Sequence, residues 1–120
     1  MMVTRLEDCQ EFLAGDHTIL RELLHPGRHP VKISYSLAHG RLEPGACSKR
    51  HRLTSSEVYY FLAGHGVFGS GSETSMVEPG TTVYLPPGSE QWVENTGDIP
   101  IEFLCLVDPA WRAEDEEIVE

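Results

Sequence analysis

The chain has 120 residues, of which 40% are hydrophobic and 23% charged, as is typical of a soluble globular protein. A net charge of −10 argues against binding to nucleic acid or to an anionic membrane surface, because both need a basic patch. The three cysteines have no CxxC spacing and do not read as a disulfide framework, which favours a reducing compartment. The N-terminus lacks the apolar core of a secretory signal, and the longest apolar run, FLCLV, is too short to cross a bilayer. We therefore expect a cytoplasmic protein of one domain, residues 1–120.

The predicted elements begin with an N-terminal arm, residues 1–32, in which TILRELL fits either a strand or a helical turn. In the core, residues 33–107, short runs rich in Val, Ile, Tyr, Phe and Thr alternate with turns rich in Gly and Pro. Many short strands with frequent turns indicate an all-β sandwich or barrel. The predicted strands are VKISYSLAHGRL, HRL, EVYYFLA, GVFG, TSMVE, TTVYLP, EQWVEN and IEFLCLV.

The C-terminal tail, residues 108–120, predicts a short helix. Asp108 can cap the helix, and Pro109 suits its first position. We expect Trp111 to pack on the barrel. The acidic sequence EDEEIVE that ends the tail is typical of a solubilising surface.

A candidate metal site lies in the stretch GACSKRHRLTSSEVYYFLAG. Because side chains alternate along a strand, His51 and Leu53 share one face, and Glu57, Tyr59 and Phe61 share a face of the next strand. Residues at i and i+2 have α-carbons about 7 Å apart, close enough for two side chains to meet at one cation. Glu57 can join them from the adjoining strand after the bend at TSS. One hairpin can therefore supply several ligands.

This stretch, together with GTTVYLPPGSEQWVEN, resembles the two sequence motifs of the cupins. The landmark positions keep every spacing: Gly45, His51, Leu53, Glu57 and Gly64 in the first motif, and Gly80, Pro86, Pro87, Gly88, Gln91 and Asn95 in the second. Leu53 and Gln91 stand where the family normally has histidines. The resemblance implies an all-β double-stranded β-helix, or jelly-roll barrel, of the small single-domain cupin type, and it also implies a homodimer.

The resemblance implies a ligand set of His51, Glu57 and Gln91. Leucine offers no lone pair, so Leu53 removes a ligand, whereas glutamine can still bind through its amide oxygen. The set resembles the facial triad of two histidines and one carboxylate with an amide in place of one imidazole, and it would hold iron, manganese, nickel or zinc. Without a cation, the same three side chains can form a satisfied hydrogen-bonded cluster. The sequence leaves both alternatives open.

His39 is a candidate for the missing imidazole, if its face of the predicted strand VKISYSLAHGRL points into the same cavity. The expected pocket walls are Leu53, Tyr59, Phe61 and Val93. Tyr59 also carries a hydroxyl that can contact a substrate or act as an acid, which makes it the candidate catalytic residue. Trp92 and Tyr60 have the opposite parity and should face outward, which favours a homodimer interface.

These features support two main functions. The first is a metal-dependent cupin enzyme acting on a small molecule, and the resemblance admits dioxygenases, isomerases or epimerases, and cyclases. The second is a non-catalytic cupin that binds a small ligand and has a degenerate metal site. A weaker third alternative is a dimeric accessory protein with a vestigial pocket.

Overall fold

A computed structural model describes residues 1–120, and it is built almost entirely from short β-strands. The all-β prediction is confirmed. Two single turns of 3₁₀ helix, Leu6–Asp8 and Ala113–Asp115, are the only helical segments. The strands are β1 Glu11–Leu13, β2 Ile19–Leu24, β3 Ser36–Leu42, β4 His51–Leu53, β5 Ser56–Ala63, β6 Gly66–Ser70, β7 Glu73–Val77, β8 Thr82–Leu85, β9 Glu90–Asn95, β10 Ile101–Asp108 and β11 Glu116–Ile118. No helix is both long enough and apolar enough to span a membrane.

The strands form two antiparallel sheets that face each other. Six strands make one sheet in the order β1–β2–β3–β10–β5–β8, and five make the other in the order β11–β4–β9–β6–β7. Neighbours in the sheets are mostly distant in sequence, as in a jelly roll. The register sets His51 opposite Gln91 and Leu53 opposite Glu116 in the second sheet. In the first sheet it sets Glu57 opposite Val107.

The space between the sheets is filled by alternate residues of each strand. Along β10, Ile101, Phe103, Cys105 and Val107 are buried, while the residues between them are partly exposed. Tyr59 and Phe103 form an aromatic cluster with Phe61 and Phe68, with ring centroids 5.0 to 6.3 Å apart. This cluster closes one half of the barrel and leaves the other half to a cavity.

The two ends of the chain complete the sheets. The segment that fitted either a strand or a helical turn is strand β2, which pairs with β3. The predicted C-terminal helix is wrong: Asp108 ends β10, and only the turn Ala113–Asp115 is helical before β11 begins. The edge of β4 offers backbone partners to residues 116–118, and this pairing replaces the hydrogen bonds that a helix would make internally.

Candidate functional site

The imidazole of His51 lies on the inner wall, held by its own strand. Its Nδ1 is 2.8 Å from the carbonyl oxygen of Lys49. Because a carbonyl oxygen only accepts, Nδ1 carries the proton of this hydrogen bond, and Nε2 faces the cavity. There Nε2 lies 3.4 Å from Oδ2 of Asp16. His51 and Asp16 are both buried, so this pair is shielded from bulk water.

Beside the pair of His51 and Asp16, Gln91 links Glu57 to Tyr59. The Gln91 Nε2 group donates to Oε1 of Glu57 at 2.9 Å, and the Tyr59 hydroxyl donates to Oε1 of Gln91 at 2.6 Å. All three side chains are buried, with Gln91 only 1% exposed. The structure therefore joins three of the predicted site residues in one chain of hydrogen bonds.

Burial changes the acidity of this chain of groups. Burial raises the pKa of Glu57 from 4.5 to about 7, although the hydrogen bond from Gln91 and the nearby His51 act in the opposite direction. The carboxylates of Asp16 and Glu116 add to the rise. Burial also raises the pKa of the Tyr59 hydroxyl well above its usual value, so this hydroxyl stays protonated and remains a donor to Gln91.

The Gln91 amide is not turned as the three-ligand metal centre implied by the sequence would require. Gln91 turns its nitrogen toward Glu57, and its amide oxygen is engaged by Tyr59. Leu53 adds hydrocarbon to the wall next to His51. No group of three or more His, Cys, Asp and Glu side chains converges closely enough to hold an ion. The ligand set of His51, Glu57 and Gln91 stays a prediction for metal analysis to test.

Asp16 is a site residue that the sequence did not reveal. It lies in the turn between β1 and β2, where its Oδ1 accepts from the backbone N–H and the hydroxyl of Thr18 at 3.1 and 2.7 Å. The next residue, His17, has a left-handed φ of 76°, and the Asp16 carbonyl accepts from the N–H of Lys49. These contacts fix Asp16 against the start of the strand that carries His51. A local signal existed, because GDHT is a turn sequence, but it does not indicate what the turn packs against.

Glu116 is a second unexpected residue. It lies opposite Leu53 in the β4–β11 pair and so faces inward. The Trp111 indole N–H donates to its Oε2 at 3.0 Å, and its Oε1 is enclosed with no hydrogen-bond partner. The expectation that the acidic tail serves only solubility is therefore wrong for this residue.

A cavity of about 40 Å³ lies between these groups, on the side of the barrel toward the two chain ends. Of the predicted pocket walls, Leu53 and Tyr59 line it, together with Trp111. Phe61 and Val93 do not, because both are packed in the hydrophobic core. The cavity lining is completed mainly by small and apolar residues: Phe12, Ala14, Thr18, Leu20, Glu22, Ser36, Ala38, Phe103, Cys105 and Val107.

His39 does not face this cavity, and its prediction as a pocket residue is wrong. The inward residues of β3 are the even-numbered ones, including Ser36 and Ala38, so His39 points to the outer face. There its Nε2 lies 3.1 Å from Oε1 of Glu102 on the neighbouring strand. It is buried by neighbouring surface side chains and cannot supply the missing imidazole.

Two packed antiparallel sheets enclosing an apolar cavity with a polar wall define a small jelly-roll barrel protein. The chain belongs to the cupin domain family, whose pattern matches residues 38–107. It is 35% identical over 118 residues to the uncharacterized protein MJ1618 of Methanocaldococcus jannaschii, covering 98% of this chain and 94% of that one. It is 31% identical over 92 residues to an oxalate-binding protein of Thermotoga maritima, covering 76% of this chain and 71% of the relative.

A solved structure shows the same fold. The nucleoside dehydratase Pac13 from Streptomyces superposes with a TM-score of 0.78 at 21% identity, covering 100% of this chain and 92% of Pac13. At this identity the similarity establishes the fold, and the cupin barrel implied by the sequence motifs is confirmed.

Proposed function

We propose that this cupin binds a small molecule in its cavity directly through side chains, without requiring a metal ion. The observation that supports this most is the cavity itself, which has a mostly apolar lining and a polar wall formed by His51, Asp16 and Glu57. Small-molecule sites typically combine an apolar lining with a few convergent polar groups. The names of the similar proteins, oxalate-binding protein and nucleoside dehydratase, also refer to small molecules.

The hydrogen-bonded chain from Tyr59 to Glu57 supports direct binding. Gln91 is occupied at both ends of its amide, so neither end of the amide needs a cation as its partner. This chain contains the Gln91–Glu57 hydrogen bond of the polar cluster that the sequence left open as an alternative, while His51 faces Asp16 instead. Tyr59 is committed to Gln91, and its role as a catalytic acid stays a prediction.

A metal-dependent enzyme is the second candidate, and one observation favours it. His51 is oriented by a hydrogen bond from Nδ1 to a backbone carbonyl, as metal-binding histidines commonly are. Iron, manganese, nickel or zinc would then need Gln91 to turn its oxygen toward Glu57. The dioxygenase, isomerase, epimerase and cyclase activities named above belong to this candidate.

The deciding experiment is an NMR titration of ¹⁵N-labelled protein freed of metal by chelator and checked by elemental analysis. The probes are short amines, alcohols and carboxylates, including oxalate. We expect at least one probe to shift the amide signals of Leu53, Tyr59 and Cys105 in the metal-free protein. The variant Ala38→Leu, which fills the cavity, should abolish the shifts, whereas Ala113→Leu on the exposed turn should preserve them. Binding that appears only after metal is added would favour the metal-dependent enzyme instead.

We also propose a homodimer that forms through the outer face of the six-stranded sheet. Tyr60, Leu62 and Tyr84 present exposed apolar surface there, and Tyr84 is 64% exposed. Trp92 lies on the other sheet, where the Arg50 guanidinium covers its ring at 5.3 Å, so it does not extend this face. Light scattering after gel filtration tests the proposal, with Tyr84→Glu expected to give monomers and Ser75→Glu on β7 as the control. A monomeric native protein would contradict it.

A further inference from the structure

The cavity wall carries an excess of negative charge. Four carboxylates line it and no lysine or arginine does: Asp16, Glu22, Glu57 and Glu116. Two of these have charged or chargeable partners, since Arg28 donates to both oxygens of Glu22 and His51 faces Asp16. The remaining two, Glu57 and Glu116, have only neutral donors.

One of these two carboxylates also has an oxygen without a donor. Oε1 of Glu116 is enclosed and makes no hydrogen bond. Glu57 is 5% exposed, and besides Gln91 its carboxyl has only the Cys105 thiol, a weak donor, beside it. Buried acceptors in proteins are nearly always satisfied, and buried charges are nearly always paired. The wall therefore lacks a hydrogen-bond donor. A cation that donates a hydrogen bond would satisfy the unpaired oxygen and also pair the buried negative charge.

The remaining lining shows what kind of cation fits. The cavity of about 40 Å³ has room for about three water-sized groups, which corresponds to the end of a short chain. Its aromatic side chains suit a cation with an attached hydrocarbon stem, because ring faces attract cations and rings bury methylene groups: Phe12, Tyr59, Phe103 and Trp111. No three His, Cys, Asp or Glu side chains converge here as they would around a bare metal ion.

An outer cleft of about 560 Å³ lies beside the cavity. Phe12, Glu22 and Trp111 line both spaces and stand between them.

We propose that the cavity takes the ammonium end of a primary alkylamine. The nitrogen donates to Oε1 of Glu116 and to the carboxylate of Glu57, and the alkyl stem packs on Leu53 and Phe103. This inference rests on the proposed function, that a small molecule binds in the cavity directly, and it adds the charge class of the ligand.

Three probes with four non-hydrogen atoms each test the charge class: propylamine, 1-propanol and acetate. They are titrated by NMR at pH 8, where the amine is protonated. We expect propylamine to bind at least about tenfold more tightly than the other two. A hydrogen bond between charged groups strengthens binding more than a neutral one does, by about tenfold or more in affinity. Equal or tighter binding of 1-propanol or acetate at the cavity would overturn the ammonium inference and leave direct small-molecule binding intact. Absence of binding by all three probes would overturn the ammonium inference, and direct binding would fall only if the wider panel failed as well.

The matched variants are Glu116→Gln and Glu117→Gln. Both remove one negative charge from β11, but Glu117 is exposed on the outer side of the strand. Glu116→Gln should weaken propylamine binding about ten- to hundredfold, and Glu117→Gln should leave it within about twofold. Native-like NMR spectra establish that each variant is folded. If Glu116→Gln does not fold, Glu57→Gln tests the same contact from the other carboxylate. Unchanged affinity in a folded Glu116→Gln or Glu57→Gln variant would overturn the proposed contact.

Discussion

Replacing Glu57 with glutamine should remove a pH-dependent loss of stability. Burial raises the pKa of Glu57 from 4.5 to about 7 in the folded protein. The folded state therefore holds the proton more tightly than the unfolded state does. The stability that the neutral carboxyl contributes is fully present below pH 4.5 and is lost as the pH rises through 7.

The size of the effect follows from the same two values. A shift of one pKa unit corresponds to about 1.4 kcal/mol. For a group that titrates near 7 when folded and 4.5 when unfolded, linkage gives a loss of about 2.5 kcal/mol in the free energy of unfolding between pH 5 and pH 8. Glutamine keeps an oxygen that can accept from Gln91, so Glu57→Gln removes the ionisation while retaining that hydrogen bond.

The assay is urea unfolding of the native protein and of Glu57→Gln at four values between pH 5 and pH 8. The difference between their unfolding free energies should change by about 2.5 kcal/mol in favour of the variant as the pH rises. Glu117→Gln, which changes an exposed glutamate of the tail, should follow the native protein. Parallel curves for the native protein and Glu57→Gln would refute the reasoning, because the buried carboxyl would then titrate alike in both states.

Three other predictions concern neighbouring residues. Leu53→His adds an imidazole to the wall beside His51, so calorimetry should show Ni²⁺ affinity rising about tenfold or more; equal affinities would contradict this. Tyr59→Phe leaves the Gln91 oxygen without its donor and should lower the unfolding free energy by about 1–3 kcal/mol, whereas Tyr60→Phe on the outer face should change it by less than about 0.5 kcal/mol. Asn95→Ala removes three hydrogen bonds to backbone groups and should lower urea stability by about 2–4 kcal/mol; a loss below about 1 kcal/mol would be too small for them.

The motif spacing predicted the strands in the central part of the barrel and the direction of their side chains, because both depend on local backbone geometry. The run EQWVEN is strand β9, residues 90–95, and its parity correctly directs Gln91 inward. Glu57 and Tyr59 follow from the same rule on β5. Side-chain direction along a strand depends only on alternation, which a sequence displays directly.

His39 shows where alternation is insufficient. Parity groups the residues of a strand into two faces but does not say which face is inside. The missed signal lies in its small neighbours: a Cβ at Gly40 would overlap the Phe103 ring, and Ala38 lines the cavity. Small residues at alternate positions therefore mark the crowded inner face of β3, and His39 lies on the other.

Asp16 and Glu116 could not be predicted because their positions depend on contacts with distant parts of the chain. Asp16 is held by Lys49, and Glu116 is directed inward by the pairing of β11 with β4. A three-residue strand has no periodic pattern of its own that would separate it from an acidic surface tail.

The lining of the cavity comes from two parts of the chain. The matched family region, residues 38–107, supplies the scaffold with His51 and Glu57, while Phe12, Asp16, Trp111 and Glu116 come from the flanks outside it. The four rings of the aromatic core all lie within the matched region. We expect that grafting residues 11–24 and 109–118 onto another cupin barrel would transfer the ligand selectivity of this cavity. The core packing of the recipient barrel should stay unaltered.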